Sequence, residues 1–126
     1  MHFHLRHDEY FCLIEGHALL GLRDLRPGSP TQHQSALFEL HSDDPAALVF
    51  PRGMLHGWYF HTPSIHVQSV SEAYSDYGQN DNWRCAWDDP ELELPWNIEN
   101  PILTDAASTA PSLRTLLDAL SRANYK

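Results

Sequence analysis

Four side chains grouped around two turns could hold a metal ion or move a proton: His2, His4, Glu9 and His56. In an extended strand successive side chains alternate faces, so His2 and His4 project to one side and Phe3 to the other. A second run puts Glu9, Phe11 and Leu13 on a common face, where the carboxylate can meet the imidazoles, and it stops at the turn signal Glu15-Gly16. Pro51-Arg52-Gly53 then makes a turn that delivers His56 to the head of the aromatic strand Gly57-Trp58-Tyr59-Phe60. Three imidazoles and a carboxylate suit a divalent Fe, Mn, Ni, Co or Zn ion. Such an ion in octahedral geometry keeps positions open for water or a chelating substrate, and as a Lewis acid it makes the C–H beside a carbonyl acidic. The competing reading is of ordinary strand histidines, because the chain carries nine. No organic cofactor is expected.

The elements that must position these residues are short strands. After Gly16, Ala18, Leu20 and Leu22 share one face and Leu19, Gly21 and Arg23 the other, a strand covered on both sides. Arg26-Pro27-Gly28-Ser29-Pro30-Thr31 is a loop of turn formers. Strands are expected again at Ser35 to Leu40, Ala46 to Phe50 and Ile65 to Ser71, the last followed by a polar stretch from Glu72 to Trp83. This spacing predicts an all-β barrel or sandwich. Near the end Leu113, Leu116, Leu117 and Leu120 recur at helical spacing, with Pro111 before them and Asn124 after, which predicts one C-terminal α-helix.

Trp58 and Phe60 alternate onto the face of His56 and are candidate substrate-binding residues that could stack on a sugar or base, core packing being the alternative. Tyr59 is expected to face away. Arg23 and Arg26 stand at a strand end, where an Arg is often a solvated surface residue. His7, His17, His33, His41, His61 and His66 have no convergent partner readable from spacing.

Eight basic against seventeen acidic residues in 126 gives a net charge of −9, which argues against nucleic acid or an anionic membrane surface as partner. A small-molecule substrate and copies of the chain itself fit better. One domain spanning 1–126 is the expected organisation. No apolar stretch approaches the roughly 20 residues of a membrane span and no signal segment precedes the first strand, so a cytoplasmic location is expected. Cys12 and Cys85 read as reduced thiols.

His-x-His, four residues, Glu, six residues, Gly, then Pro-x-Gly-x-x-His, resembles the paired motifs of the cupin superfamily, with Phe60 where an Asn often stands. That resemblance implies a jelly-roll β-barrel with the four side chains in its mouth. A barrel of that kind normally has strands before the first motif, so the sheet is expected to be shortened or completed by a partner subunit, giving a homodimer.

The order Leu22 to Thr31, Phe50 to Gly57, Trp87-Asp88-Asp89-Pro90 to Trp96, and Leu103-Thr104-Asp105 to Leu113 is similar to the dTDP-4-dehydrorhamnose 3,5-epimerases, the RmlC-like cupins. The resemblance implies a nucleotide-sugar substrate, whose phosphates Arg23 and Arg26 could meet, with Arg23 a candidate substrate-binding residue, and metal-free proton transfer by a His, its Asp partner and an opposing Tyr. His2 takes the place of that His, and His2 and His56 are the candidate catalytic residues. The Asp position is Ala107, with Asp105 two residues away, the Tyr position is Gln68, and a family Lys is Glu9. A His base without those partners loses about 10² to 10⁴-fold per acid/base role, which argues against two-sided epimerisation. With His4 at a Gln position, the pocket has exchanged acid/base groups for metal ligands. The expected activity is isomerisation or epimerisation of a keto sugar with a divalent metal; a metal-dependent dioxygenase and a non-catalytic sugar-binding cupin are the alternatives.

Overall fold

The computed structural model describes residues 1–125, the side chains at 77 to 79 excepted. Eight strands follow in chain order: β1 (His2–Phe3), β2 (Glu9–Glu15), β3 (His17–Asp24), β4 (Ser35–His41), β5 (Ala47–Phe50), β6 (Met54–Phe60), β7 (Ile65–Val70) and β8 (Trp83–Arg84). They form two antiparallel sheets, one of five strands in the order β4-β3-β6-β1-β8 and one of three in the order β5-β2-β7. The strand expectations from Glu9 to Val70 hold to within a residue or two. β8 begins at Trp83, where the stretch read as polar ends.

Alternation sorts the side chains into two cores. Ala18 and Leu20 of β3 point inward with Phe11 and Leu13 of β2, Phe50 of β5 and Leu40 of β4, and Trp58 and Phe60 pack against them between the sheets. Leu19 points the other way, into a second core with Phe3, Leu55, Leu92, Trp96 and the helix residues Leu113, Leu116 and Leu120. β3 is therefore covered on both faces, which explains its near-continuous apolar run. Burying Phe11, Leu20 and Phe50, each at most 1% exposed, stabilises the fold by about 1.5–3 kcal/mol per side chain.

The C-terminal α-helix spans Leu113–Arg122. Ser112 caps it by accepting from the Thr115 N–H at 3.2 Å, and Asn124 follows at φ 62°. Two single-turn helices, Tyr74–Tyr77 and Asp105–Ser108, add to the one helix expected. Asp88-Asp89 turns the chain. Asp89 caps the 3-10 turn Pro90–Leu92 at the Glu91 N–H and also receives the Leu113 N–H, so its role here is structural. Among the described residues no helix is long and apolar enough to cross a membrane.

The loop after β3 is folded around Asp24. Its buried carboxylate accepts from the Arg26 guanidinium at 2.8 and 2.9 Å, from the Ser29 and Thr31 hydroxyls at 2.7 Å each, and from the Arg26 N–H at 2.9 Å. Burial alone would raise this carboxyl, but those donors outweigh it and hold it well below the usual range. The linkage stabilises the fold above the ordinary carboxylate pKa and fades as pH falls through the depressed one.

Candidate functional site

β1 leaves its ladder at Phe3, and the chain bends through Leu5 and Arg6 before β2 begins at Glu9. Asp81 holds that bend. Its carboxylate, 2% exposed, accepts from the Leu5 N–H at 2.7 Å, the Arg6 N–H at 2.9 Å and His7 Nδ1 at 2.9 Å, while its carbonyl receives His4 Nδ1 at 2.7 Å. The Gly53 N–H donates to the His4 carbonyl at 2.8 Å, which ties the bend to the turn preceding His56. Gly53 adopts φ +85°, and a Cβ there would lie 2.2 Å from the Tyr125 hydroxyl, so this turn requires glycine.

The result is a buried cluster bridging the two sheets. His4 Nε2 lies 3.3 Å from Glu9 Oε1, His7 Nε2 lies 3.5 Å from the same oxygen, and His56 Nε2 lies 2.8 Å from Glu9 Oε2. Gln68 Nε2 donates to Glu9 Oε2 at 2.7 Å. The four cluster residues are at most 5% exposed. His4, Glu9 and His56 bring one donor atom each within 4.8 Å of one another, as do His4, His7 and Asp81.

Tautomers follow from the acceptors. An amide carbonyl can only accept, so His4 Nδ1, against the Asp81 carbonyl, and His56 Nδ1, 3.0 Å from the Met54 carbonyl, must both carry protons. His7 Nδ1 faces the Asp81 carboxylate in the same way. A neutral ring would then turn an Nε2 lone pair toward a carboxylate, which is repulsive. Without a proton there, the buried Nε2 atoms of His4 and His56 have no hydrogen bond to give Glu9. The pocket thus needs positive charge between ring and carboxylate, from protons or from a cation. Metal-binding imidazoles have this arrangement, with the distal N–H anchored to an oxygen.

Burial opposes protonation of His4, but its hydrogen bonds to Glu9 and the Asp81 carbonyl, with the charges of both carboxylates, raise its pKa. Burial likewise opposes ionisation of Glu9, and the His4 and His56 hydrogen bonds and charges overturn this and hold Glu9 well below the usual range. The raised His4 stabilises the ion-free pocket below its ordinary pKa of 6.5 and stops doing so as pH rises through the raised value. The lowered Glu9 stabilises above 4.5 and stops as pH falls. The two effects overlap between those limits.

His2 stands apart from the convergent donors. Its backbone pairs with His56, and its exposed ring lies with centroids 6.3 Å from His56, 6.4 Å from His4 and 6.4 Å from Trp58, at the mouth of the pocket. Within the cupin-like set, His4, Glu9 and His56 come together, and His7, read as having no partner, stands beside Glu9 where His2 was expected. Loss of solvation, the chain's amino group and the two neighbouring imidazoles push the His2 pKa down to about 4, so the ring is neutral at pH 7.

Beside His2 runs an apolar groove of about 170 Å³ lined by Trp58, Tyr59, Trp87, Trp96 and Ile98 among others. Ala107 lines it too, so the position expected to orient the histidine carries a methyl group; Asp105 is exposed at the start of the 105–108 helix. Trp58, a candidate substrate-binding residue, lines the groove. Phe60 instead packs toward the inner core beside His66, at 5.4 Å between ring centroids. Tyr59 faces away from His56, as expected, because it pairs with Leu19, and from that side it lines the groove. Leu22 is the residue that pairs with His56, so Arg23 lies on the opposite face, as its alternation with Leu22 predicts, and there it is bound to Glu93 at 2.9 Å. Asp81 and the anchoring role of Gln68 were not read from the sequence.

A family model described as dTDP-4-dehydrorhamnose 3,5-epimerase matches residues 1–115. The spore coat polysaccharide biosynthesis protein SpsL of Bacillus subtilis (strain 168) is 31% identical over 100 residues, covering 78% of this chain and 66% of SpsL. The dTDP-4-dehydrorhamnose 3,5-epimerase of Pseudomonas aeruginosa is 31% identical over 84 residues, covering 65% of this chain and 45% of that enzyme. Among solved structures, the dTDP-4-dehydrorhamnose 3,5-epimerase from Bacillus anthracis str. Ames, with TDP and PPi bound, superposes with a TM-score of 0.76 at 28% identity, covering 89% of this chain and 65% of that one. The 3'-monoepimerase ChmJ from Streptomyces bikiniensis, in complex with dTDP-quinovose, has the same fold at a TM-score of 0.77 and 23% identity, covering 98% and 62%. The chain spans no more than 66% of the length of any of these relatives.

Proposed function

The chain belongs to the dTDP-4-dehydrorhamnose 3,5-epimerase family, and we propose that it isomerises a keto sugar, carried on a nucleotide, or epimerises it at one centre, with His2 moving the proton on one face of the carbon next to the ketone and, where a centre is inverted, water delivering the proton to the other face. The observation that carries this reading is the convergence of the His4, His7 and His56 rings on Glu9 beneath the neutral His2. His4, Glu9 and His56, with His7 beside them, fit a divalent Fe, Mn, Ni, Co or Zn ion, because their Nδ1–H groups are anchored and their Nε2 atoms face one carboxylate. When bound, such an ion would polarise the substrate carbonyl.

The chain's own residues do the rest. Trp58 offers its face to the sugar ring, and the groove along Tyr59, Trp87 and Trp96 takes the part of the substrate that does not react. His2 receives the proton from carbon and returns it. Gln68, at the position of the family's opposing Tyr, is bound to Glu9, at the position of the family's Lys, so these two departures act as a unit that holds a ligand and supplies no acid. Proton removal and return from one side favour exchange or a shift of the keto group over inversion at two centres.

The test is incubation with a dTDP-4-keto-6-deoxy sugar in D2O, loaded with each candidate metal and followed by NMR. Deuterium should enter at one carbon beside the ketone. No exchange at stoichiometric enzyme, together with protection from thermal unfolding by dTDP alone, would replace catalysis by binding.

The proposed architecture is a single jelly-roll domain over 1–126, acting as a homodimer. Tyr10, Ile14, Val49 and Val67 are 44–54% exposed on the outer face of the three-stranded sheet, an apolar surface that a second copy would cover. Light scattering at micromolar concentration should give twice the chain mass, and Val49→Lys with Val67→Lys should halve it. A wild-type monomer overturns this assembly.

A further inference from the structure

A second group of donors lies on the opposite face of the five-stranded sheet. His17 of β3 pairs directly with His41 of β4, and the His61 N–H just past β6 donates to the His17 carbonyl at 2.9 Å. Three histidines therefore stand side by side across three strands. The His17 ring stacks on His41 at 4.0 Å and 20° and on His61 at 4.2 Å and 28°. Glu39, two residues before His41 and on the same face, reaches across them, with its Oε2 2.7 Å from His17 Nε2 and 3.6 Å from His61 Nε2. His17, Glu39 and His41 each bring a donor atom within 4.8 Å of the others. Tyr59 meets the His61 ring edge-on at 5.1 Å and limits its movement.

We propose that His17, His41, His61 and Glu39 form a surface site for a divalent transition-metal ion such as Zn²⁺ or Ni²⁺. Packing does not account for the grouping, since Glu39, His41 and His61 are exposed and His17 is half-buried. Protonation does not favour it either, because three imidazolium rings at stacking distance repel and the one carboxylate neutralises one of them. An ion accepting lone pairs from several rings and from Glu39 removes both objections, and imidazole with carboxylate is a donor set of Zn²⁺ and Ni²⁺. His56 pairs with Leu22, whereas His17 shares the outward face of Leu19. The two sites thus lie on opposite sides of the sheet and can be tested separately.

An ion fixed to a resin reaches only a surface site, so the untagged protein should be retained on immobilised Ni²⁺ and released by imidazole. The His17→Ala/His41→Ala double variant should elute at several-fold lower imidazole. In solution, Zn²⁺ titration of chelator-treated protein should lose one equivalent in that variant, and Glu39→Gln should weaken the site by at least about tenfold. If the buried cluster takes no ion, wild type should bind one equivalent and the double variant none, so the two readings fail separately. Unchanged elution and unchanged stoichiometry in the double variant, with circular dichroism like wild type, would overturn the site.

Discussion

His56→Ala is expected to strip the buried cluster of its metal and to lower the exchange rate by about 10² to 10⁴-fold, the range for losing an acid/base or ligand role. Of the three rings His56 makes the shortest contact to Glu9, at 2.8 Å, and its Nδ1–H is anchored, so neither of the other imidazoles can take its place. Elemental analysis of wild type purified without chelator should find close to one equivalent beyond any carried at the surface cluster. His2→Ala should leave that content unchanged and abolish exchange, because His2 stands outside the donor set. Metal affinity should fall as pH drops, beginning above 6.5, because the raised His4 takes up its competing proton there. The ring also stacks on Phe50 at 4.7 Å, so some stability is lost with it; a thermal melt separates that loss from loss of the ion. An unaltered metal content in His56→Ala would remove the buried cluster as a metal site.

Asp81→Ala should have the largest effect on stability. Three donors, the Leu5 and Arg6 N–H groups and His7 Nδ1, end on its carboxylate. Leaving them without that partner costs about 1–3 kcal/mol each where they stay buried, so a total of about 3–6 kcal/mol is expected from the part-buried and buried set. That is a large share of the ~5–15 kcal/mol that holds a small domain folded. Asp81→Asn keeps one acceptor oxygen and should fall between. Urea unfolding measures the loss, and histidine NMR should show the His4 and His7 resonances shifting together in the Asn variant. A Tm for Asp81→Ala equal to wild type would show that the bend holds itself.

Local patterning made most of the framework legible. Period-two alternation in Glu9-Tyr10-Phe11-Cys12-Leu13 put the carboxylate on the inner face, and leucines at helical spacing located the last helix. Alternation failed where regular structure failed. β1 ends at Phe3, and past it the bend, not the strand, decides direction, so His7 arrives beside Glu9 while His2 stays at the mouth. Asp81 could not be found this way, because it lies 77 residues from His4 and reaches it only through the fold. Arg23 is a different case: its phase against Leu22 and His56 was readable once the β3–β6 register was known, and register is a property of paired strands.

Gly21 gives the groove a further property. Its missing side chain lets the Trp96 indole lie against β3, where a Cβ would come within 2.5 Å of the ring. Between residues 94 and 103, among the described residues, the chain makes one backbone hydrogen bond, Trp96 N–H to the Leu94 carbonyl, and the indole N–H adds a second tie to the Trp87 carbonyl at 2.8 Å. This wall is seated by flat van der Waals contact and has no ladder to break. Its position depends on packing against that glycine seat, whereas the imidazoles behind it are each pinned at Nδ1. In the proposed reaction tolerance and discrimination would thereby be separated: the wall would meet the group carried beside the sugar, and the pinned rings would select the carbon that reacts.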